Sequence, residues 1–459
     1  MRVFMLGWEF PPFISGGLGT ACYGLTKAMS SIGTDILFVL PRPVSTPFST
    51  HLKLVSPRPG SPLAVPTTEF RLDEFERVTF RTINAALGDP YESADDYERR
   101  LPGEAAEAAA AEAEAGAVAA GGGGKTYVAA APGQPTPAAG VGANRADHYG
   151  GDLLNEVQRY AALASEVARN ESFDVVHAHD WMTFPAGMAV AAIKGVPLVV
   201  HVHSTEFDRS GVHVDTRIYD IERRGMHAAM KVIAVSYWTK NLVTHHYGVD
   251  PGKVEVVYNA IEPNGNGFDE EKYKIHTDEK IVLFLGRITM QKGPEYFLAA
   301  AKKVLEVMDN VKFVMAGSGD MIRRTIEMAA QMGIGHKVLF TGFLRGGDVE
   351  KVFKMDDLYV MPSVSEPFGI APLVALSHDV PVIISKQSGV SEVLTHALKV
   401  DFWDINEMAN KIVAVLKHPP LASTLRQHGN FEVSRMSWTD AARACVDVYD
   451  QAVGAMNGR

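Results

Sequence analysis

At 459 residues, with 46% hydrophobic and 21% charged residues, the chain has the make-up of a soluble globular protein and the length of two or three domains. Its net charge of −10 argues against a nucleic-acid binder, because phosphate backbones need clustered Lys and Arg, yet leaves room for a local basic pocket that takes one nucleotide. Cys22 and Cys445 are the sole cysteines, which rules out a disulfide framework or a cysteine metal site and fits a cytoplasmic location; no apolar run is long enough to span a membrane.

The apolar start Met1–Gly7 is interrupted by Glu9 and Pro11-Pro12, so it reads as a first strand, Val3–Leu6, and not as a signal peptide. A long loop leads to a helix over about Thr20–Ser31, whose Leu25, Ala28, Met29 and Ile32 recur at helical spacing, with Gly33 as its stop. Ile36–Leu40 is the next strand. From about 88 to 148 the pattern breaks into an Ala/Glu tract (Glu104–Ala115), four glycines (Gly121–Gly124) and an Ala/Pro/Gly run (Ala129–Gly142). Such a composition buries too little apolar surface to offset ordering entropy and predicts a mobile insertion.

Order resumes with a helix at Leu153–Ala168, a strand at Asp174–His177, a helix near Phe184–Ala192, and strands at Pro197–His201, Val232–Val235 and Val254–Val257. Polar Asn259–Lys280 reads as a linker. A second run follows: strand Ile281–Leu285, a helix at Pro294–Met308 with proline in first place, then strands at Lys312–Ala316, Val338–Thr341, Leu358–Met361 and Val382–Ile384 alternating with helices. Strand–helix alternation in both halves predicts an α/β protein of two doubly wound parallel-sheet, Rossmann-like domains facing across a cleft. The expected divisions are 1–260, 261–437, and a C-terminal helix at 438–459 that is a candidate to pack back on the N-terminal domain.

Four constellations bear on chemistry. Gly16-Gly17-Leu18-Gly19, between the first strand and helix, lets backbone approach a phosphate at a helix N-terminus, although the spacing is not the dinucleotide fingerprint. Arg287 and Lys292, flanked by Gly286 and Gly293, follow a strand and suit a diphosphate whose charge grows as a nucleotide departs. Glu366 follows another strand; Phe368 anchors its turn, and Gly369 and Ile370 open a helix whose first amides face a ligand, with Glu366 placed to accept from sugar hydroxyls. His177-Ala178-His179-Asp180-Trp181 and His201-Val202-His203-Ser204-Thr205-Glu206 close two more strands. Four histidines raise the idea of zinc, but His177 and His201 are in phase with a buried sheet face; no metal is expected, and His179 and His203 are the cleft candidates. No Gly-x-Ser-x-Gly elbow, cysteine–histidine pair or Walker loop occurs, so triad chemistry is unsupported.

Together Pro12–Gly19, His177–Trp181, Gly286–Gly293, Gly317-Ser318-Gly319 and Met361–Gly369 resemble the retaining glycosyltransferases of family 4, close to the glycogen and starch synthases and the sucrose-phosphate synthases. The resemblance implies a GT-B fold with an acceptor-side N-terminal domain and a nucleotide-sugar-binding C-terminal domain, and a glycogen-synthase-like transfer of a hexose, glucose first, from a nucleotide-diphosphate sugar to a carbohydrate acceptor. A sucrose-type or glycolipid acceptor, or binding with impaired turnover, is the alternative. It implies donor-binding roles for Gly16, Gly17, Arg287, Lys292, Glu366, Phe368, Gly369 and Ile370, catalytic roles for His179, Arg287, Lys292 and Glu366, and an acceptor side at His203 and Glu206. It implies no cofactor and no metal, the cations standing in for one. Two departures stand out: Val374 occupies the place where the family has a ribose-binding glutamate, and Ile14 the place of a lysine in bacterial glycogen synthases.

Overall fold

The computed structural model describes residues 1–10, 17–41, 67–70, 75–83, 153–262, 279–344 and 347–458. The expected insertion at 88–148, Gly16 and most of the expected linker lie outside them. The described residues of 1–83 and 156–458 form one compact unit.

The apolar runs become two sheets. The first comprises β1 (Arg2–Leu6), β2 (Asp35–Leu40), β3 (Thr67–Phe70), β4 (Val78–Ile83), β5 (Val175–His179), β6 (Leu198–Val202), β7 (Lys231–Ala234) and β8 (Val254–Val256), in the order β3-β4-β2-β1-β5-β6-β7-β8. Its pairings are parallel except for β3 against β4. The second comprises β9 (Lys280–Leu285), β10 (Val311–Ala316), β11 (Val338–Gly342), β12 (Leu358–Met361), β13 (Val382–Ser385) and β14 (Leu398–Val400), all parallel, in the order β11-β10-β9-β12-β13-β14. Strands covered by helices on both faces need apolar side chains in both directions, which is why β1, β5, β6, β12 and β13 are buried almost throughout. In each sheet the winding reverses once, between β1 and β5 in the first and between β9 and β12 in the second. Ligand sites of doubly wound sheets lie outside the carboxyl ends of the strands at such points.

The last helix, Trp438–Asn457, belongs to the core of the first sheet: Trp438, Ala441, Cys445, Val448 and Tyr449 are buried with Val3, Met5, Leu25 and Met29. Gly24 makes this possible, since a Cβ there would stand 2.3 Å from the Trp438 indole. Burial of so large a ring stabilises the contact by about 3 kcal/mol or more, the usual loss on truncating a core aromatic.

The two sheet domains meet through polar contacts, buried at Ser236 and Thr239 and exposed at Glu392. Ser236 and Thr239 donate to the Pro367 carbonyl at 2.5 and 3.3 Å. The Glu392 carboxylate accepts from the amides of Tyr237 and Trp238, at 2.9 and 2.7 Å, capping the helix Tyr237–Tyr247 from the opposite domain. Val235 and Ile261 are buried among residues of the second domain, including Phe368 and Val390.

Candidate active site

The second sheet brings its predicted residues together. Arg287 and Lys292 lie past the end of β9, and Glu366 lies past the end of β12, the neighbouring strand across the switch point. Lys292 Nζ is 2.6 Å from Glu366 Oε2, an ion pair whose side chains are 19% and 10% exposed. Ser363 Oγ donates to the same oxygen at 3.1 Å. Among the described residues both donors to this carboxylate bond Oε2, which leaves Oε1 as an acceptor for a ligand hydroxyl. Arg287 Nη2 donates to Gln291 Oε1 at 3.0 Å, and Gln291 Nε2 donates to the Ser365 carbonyl at 3.1 Å.

Two glycines let these turns close on one another. Gly293 has φ 66°, and a Cβ there would meet the Pro362 carbonyl oxygen at 2.3 Å, so the Lys292 turn reaches the Glu366 loop only without a side chain at 293. Gly317, at the end of β10, has φ 144°, and its Cβ would stand 1.9 Å from the Gly286 carbonyl oxygen. Phe368 is buried, Gly369 has φ 103°, and Ile370 precedes the helix Ala371–Ser377, whose N-terminal amides lack intrahelical acceptors.

In the first sheet, Gly17 opens the helix Gly17–Ser31 beyond β1, three residues before the expected start, so Gly17 and Gly19 form its first turn instead of a preceding loop. The histidines differ more from expectation. β5 and β6 run on to His179 and Val202, so His177, His179 and His201 lie inside the sheet. With His203 they form a column of rings, with centroids 4.2 Å apart for His177 and His179 and 4.1 Å for His201 and His203. His179 Nδ1 and His203 Nε2 are 2.9 Å apart, and His177 Nδ1 is 2.5 Å from the Tyr449 hydroxyl. The sequence reading set His179 in the cleft; its ring is fully buried, and His203 is the half-exposed member of the pair. Burial disfavours the imidazolium, and neighbouring histidines add to this at His177, His179 and His201, so the ring pKa falls to about 3 at His177 and at His203 and well below the ordinary value at His179 and His201. The column is therefore neutral.

His177, His179 and His201 hold one nitrogen each within 4.8 Å of one another, as metal ligands would. Their rings are stacked, at interplanar angles of 10–30°, so the in-plane lone pairs run nearly parallel instead of converging on one point. The arrangement suits a packed stack better than a coordination site.

Asp180 follows at φ 58°, held there by its carboxylate, which accepts from the amides of His203 and Ser204 at 2.7 and 3.3 Å; burial raises its pKa to about 7 against these bonds. Glu206, expected on the acceptor side, is 1% exposed, and its carboxylate is bonded to Arg209, Ser210 and the Asp215 amide, which makes it an internal brace of its loop. Gln291, Ser363 and Ser365 were missed by the sequence reading. The available signal was their place inside or beside the motifs, one residue before Lys292 and three and one residues before Glu366.

Comparison with known proteins places these features in context. Residues 266–430 match the family described as Glycosyl transferases group 1, residues 117–264 Glycosyltransferase Family 4, and residues 2–111 the Starch synthase catalytic domain. An uncharacterized glycosyltransferase of Methanocaldococcus jannaschii is 35% identical over 303 residues, covering 62% of this chain and 77% of that protein. The glycogen synthase of Mycobacterium tuberculosis is 23% identical over 457 residues, 98% of this chain and 94% of its own length. In fold, the sucrose-phosphate synthase from Thermosynechococcus elongatus superposes with a TM-score of 0.66 at 16% identity, covering 99% of each chain.

Proposed function

This chain belongs to the family 4 glycosyltransferases of GT-B fold, and we propose that it moves a hexose, glucose first, from a nucleotide-diphosphate sugar to a carbohydrate acceptor, with retention at the anomeric carbon and without a metal. The observation that carries this reading is the convergence of Arg287, Lys292 and Glu366 on the switch point between β9 and β12. As the bond from the anomeric carbon to the phosphate oxygen breaks, negative charge grows on the diphosphate. A guanidinium and an ammonium already oriented there stabilise that charge without reorganising, and they supply what a divalent cation would otherwise supply.

The acceptor hydroxyl attacks on the face the diphosphate leaves. Its oxygen bonds to the anomeric carbon while its proton passes to the departing phosphate oxygen, so atoms and charge balance and the configuration is retained. Glu366 Oε1 holds a hydroxyl of the transferred sugar, and His203, backed by neutral His179, faces the acceptor side. Similarity to a glycogen synthase along 98% of the chain supports a growing glucan as acceptor in a cytoplasmic setting. A sucrose-type or glycolipid acceptor is the alternative.

Binding without efficient turnover is a second reading, and Val374, half-buried on the helix Ala371–Ser377 where the family has a carboxylate, favours it. The test is nucleotide release from a panel of UDP-, ADP- and GDP-sugars with glucan, sugar-phosphate and lipid acceptors, in the presence of a chelator. Release with one donor, unaffected by the chelator, is expected; no release from any pair removes the transfer reading.

A further inference from the structure

Cys22, His179 and His203 come from three different elements and meet at one place. Cys22 lies on the helix Gly17–Ser31, His179 ends β5, and His203 stands just past β6. β5 and β6 are neighbours, and β5 borders β1 where the winding of the first sheet reverses. Cys22 Sγ and one nitrogen from each ring all lie within 4.8 Å of one another. Two cysteines are too few for a site of thiolates alone, but the fold adds two imidazoles to one of them.

This pair of rings differs from the stack behind it. Where His177 lies face to face with His179, the His179 and His203 centroids are 5.2 Å apart and the rings meet through their nitrogens, Nδ1 to Nε2 at 2.9 Å. Such a contact turns ring nitrogens towards each other, as a shared ion requires, and stacked faces do not. Two nitrogens on one tetrahedral zinc stand about 3.3 Å apart, given bonds of about 2.0–2.1 Å, so a small opening of the contact admits the ion. The other two nitrogens, His179 Nε2 and His203 Nδ1, are buried without a hydrogen-bond partner, so half of the pair's polar capacity is unused. Both rings are neutral and can give a lone pair without first losing a proton. Burial, with Asp180 and Glu9 close by, holds the Cys22 thiol well above its ordinary pKa, and the same carboxylates favour a cation.

We propose that Cys22, His179 and His203 form a zinc site with one open position, and that zinc bound there inhibits the protein. A thiolate with two imidazoles selects a borderline-soft divalent cation. On binding, the thiol proton goes to solvent and the sulfur becomes a thiolate ligand. The ion takes no part in transfer: it fastens His203, the acceptor-side ring, to the helix that Gly17 opens, and so blocks turnover. The inhibition rests on the transfer reading above; the site does not.

The experiment titrates Co²⁺, a coloured stand-in for zinc, into the full chain without donor or acceptor, with melting temperature as a folding check. Thiolate bound to Co²⁺ gives a charge-transfer band that imidazole ligands lack, so ions on exposed histidines such as His245 do not register. Wild type is expected to show the band, saturating at one ion per chain and erased by Zn²⁺; Cys445→Ala keeps it and Cys22→Ala loses it. His203→Gln, at the least buried of the three ligands, is expected to weaken zinc binding by about tenfold or more. No band in wild type, a band that survives in Cys22→Ala, or undiminished zinc affinity in His203→Gln would each overturn the site. A second arm follows nucleotide release against Zn²⁺, each protein relative to its own metal-free rate. Release by wild type is expected to be lost over the concentrations that fill the site and to persist in Cys22→Ala; no inhibition, or equal inhibition of both, overturns the inhibitory role. If wild type turns over no donor, the transfer reading falls, and the Co²⁺ titration still decides the site.

Discussion

Lys292 Nζ and Glu366 Oε2 meet at 2.6 Å across 74 positions of sequence, where two neighbouring parallel strands end. The pair does two things at once: it holds an ammonium at the switch point and occupies one carboxylate oxygen, leaving the other for a ligand. Removing either partner therefore strips charge stabilisation and also strands its mate in a largely dry pocket. Lys292→Ala, Glu366→Ala and Arg287→Ala are each expected to lower kcat by about a hundredfold or more, about 3 kcal/mol of transition-state stabilisation. Arg287 is half-exposed, whereas Lys292 and Glu366 are 19% and 10% exposed, so its variant is expected to melt closest to wild type. Steady-state kinetics alongside calorimetry checks both parts, and three variants with full activity would remove the assigned site.

The backbone contacts behind this pair make a separate prediction. Alanine at Gly317 would put a methyl group 1.9 Å from the Gly286 carbonyl oxygen, and alanine at Gly293 would put one 2.3 Å from the Pro362 carbonyl oxygen. In both places the obstacle is backbone, which cannot rotate aside. Each substitution is expected to destabilise by about 2–3 kcal/mol, the range of core overpacking, and to weaken nucleotide binding by moving the Arg287–Lys292 turn. Gly333→Ala, at φ 75° with open space around its Cβ, is the control: it carries the backbone strain without the collision and should leave nucleotide affinity unchanged.

The alternation of apolar strand and amphipathic helix was legible because a strand buried on both faces must be written in Val, Ile, Leu and Phe, as β9, β10 and β13 are. β3 and β4 were not legible. Val78–Ile83 mixes Thr and Arg among its apolar residues, and β3 joins it as the antiparallel edge strand. At the site, Arg287, Lys292 and Glu366 could be read because each follows a recognisable strand. The Asp208–Ser365 and Gln291–Ser365 bonds could not, since they join residues 157 and 74 apart, the first across the two domains and the second between loops that follow neighbouring strands of one sheet. The histidine column was half legible: alternate histidines marked one face of each strand, but only the parallel register of His179 beside His201 stacks them.

Within that column the partners differ, and the difference can be measured. His201 is buried with neither ring nitrogen bonded, whereas His177 bonds the Tyr449 hydroxyl. Replacing an unsatisfied polar ring by an apolar group of similar size costs little or stabilises, whereas removing a bonded one orphans its partner. His201→Leu is expected to melt at or above the wild-type temperature near neutrality, and His177→Leu below it. The pH sign follows from the lowered pKa of these imidazoles: their contribution is complete above the ordinary value of 6.5 and is lost as pH falls towards the folded value, about 3 at His177. His201, shifted in the same direction, gives the same sign, so the advantage of His201→Leu over wild type should widen as pH is lowered below 6.5.

Val374 tests whether the donor site is complete. It is half-buried, and its carbonyl already accepts from Ser377 and His378, so a longer polar side chain can reach solvent without disturbing the helix. Val374→Glu is expected to tighten nucleoside diphosphate binding by about tenfold, the worth of one hydrogen bond to a charged group. Titration calorimetry with UDP, ADP and GDP reads it, and an unchanged Kd would mean that the ribose is held by other residues.

Asp356 marks a place where the fold opposes its own charge. Neither carboxylate oxygen has a hydrogen-bond partner, and burial, with Asp357 next to it, raises the pKa from 3.8 to about 9. The neighbouring Asp357 has partners: its oxygens accept from Lys280 Nζ and the Ile281 amide, each at 2.9 Å. A carboxyl whose folded pKa is raised contributes stability that is fully present below its unfolded pKa and is lost as pH rises through the folded one, because the native state holds a proton the unfolded chain has released. The wild-type protein should therefore lose stability from this residue across the interval 3.8 to about 9. Asp356→Asn, neutral at every pH, is expected to melt higher than wild type by a margin that grows over that interval. A margin independent of pH would show that Asp356 is charged in the native protein and has found a partner.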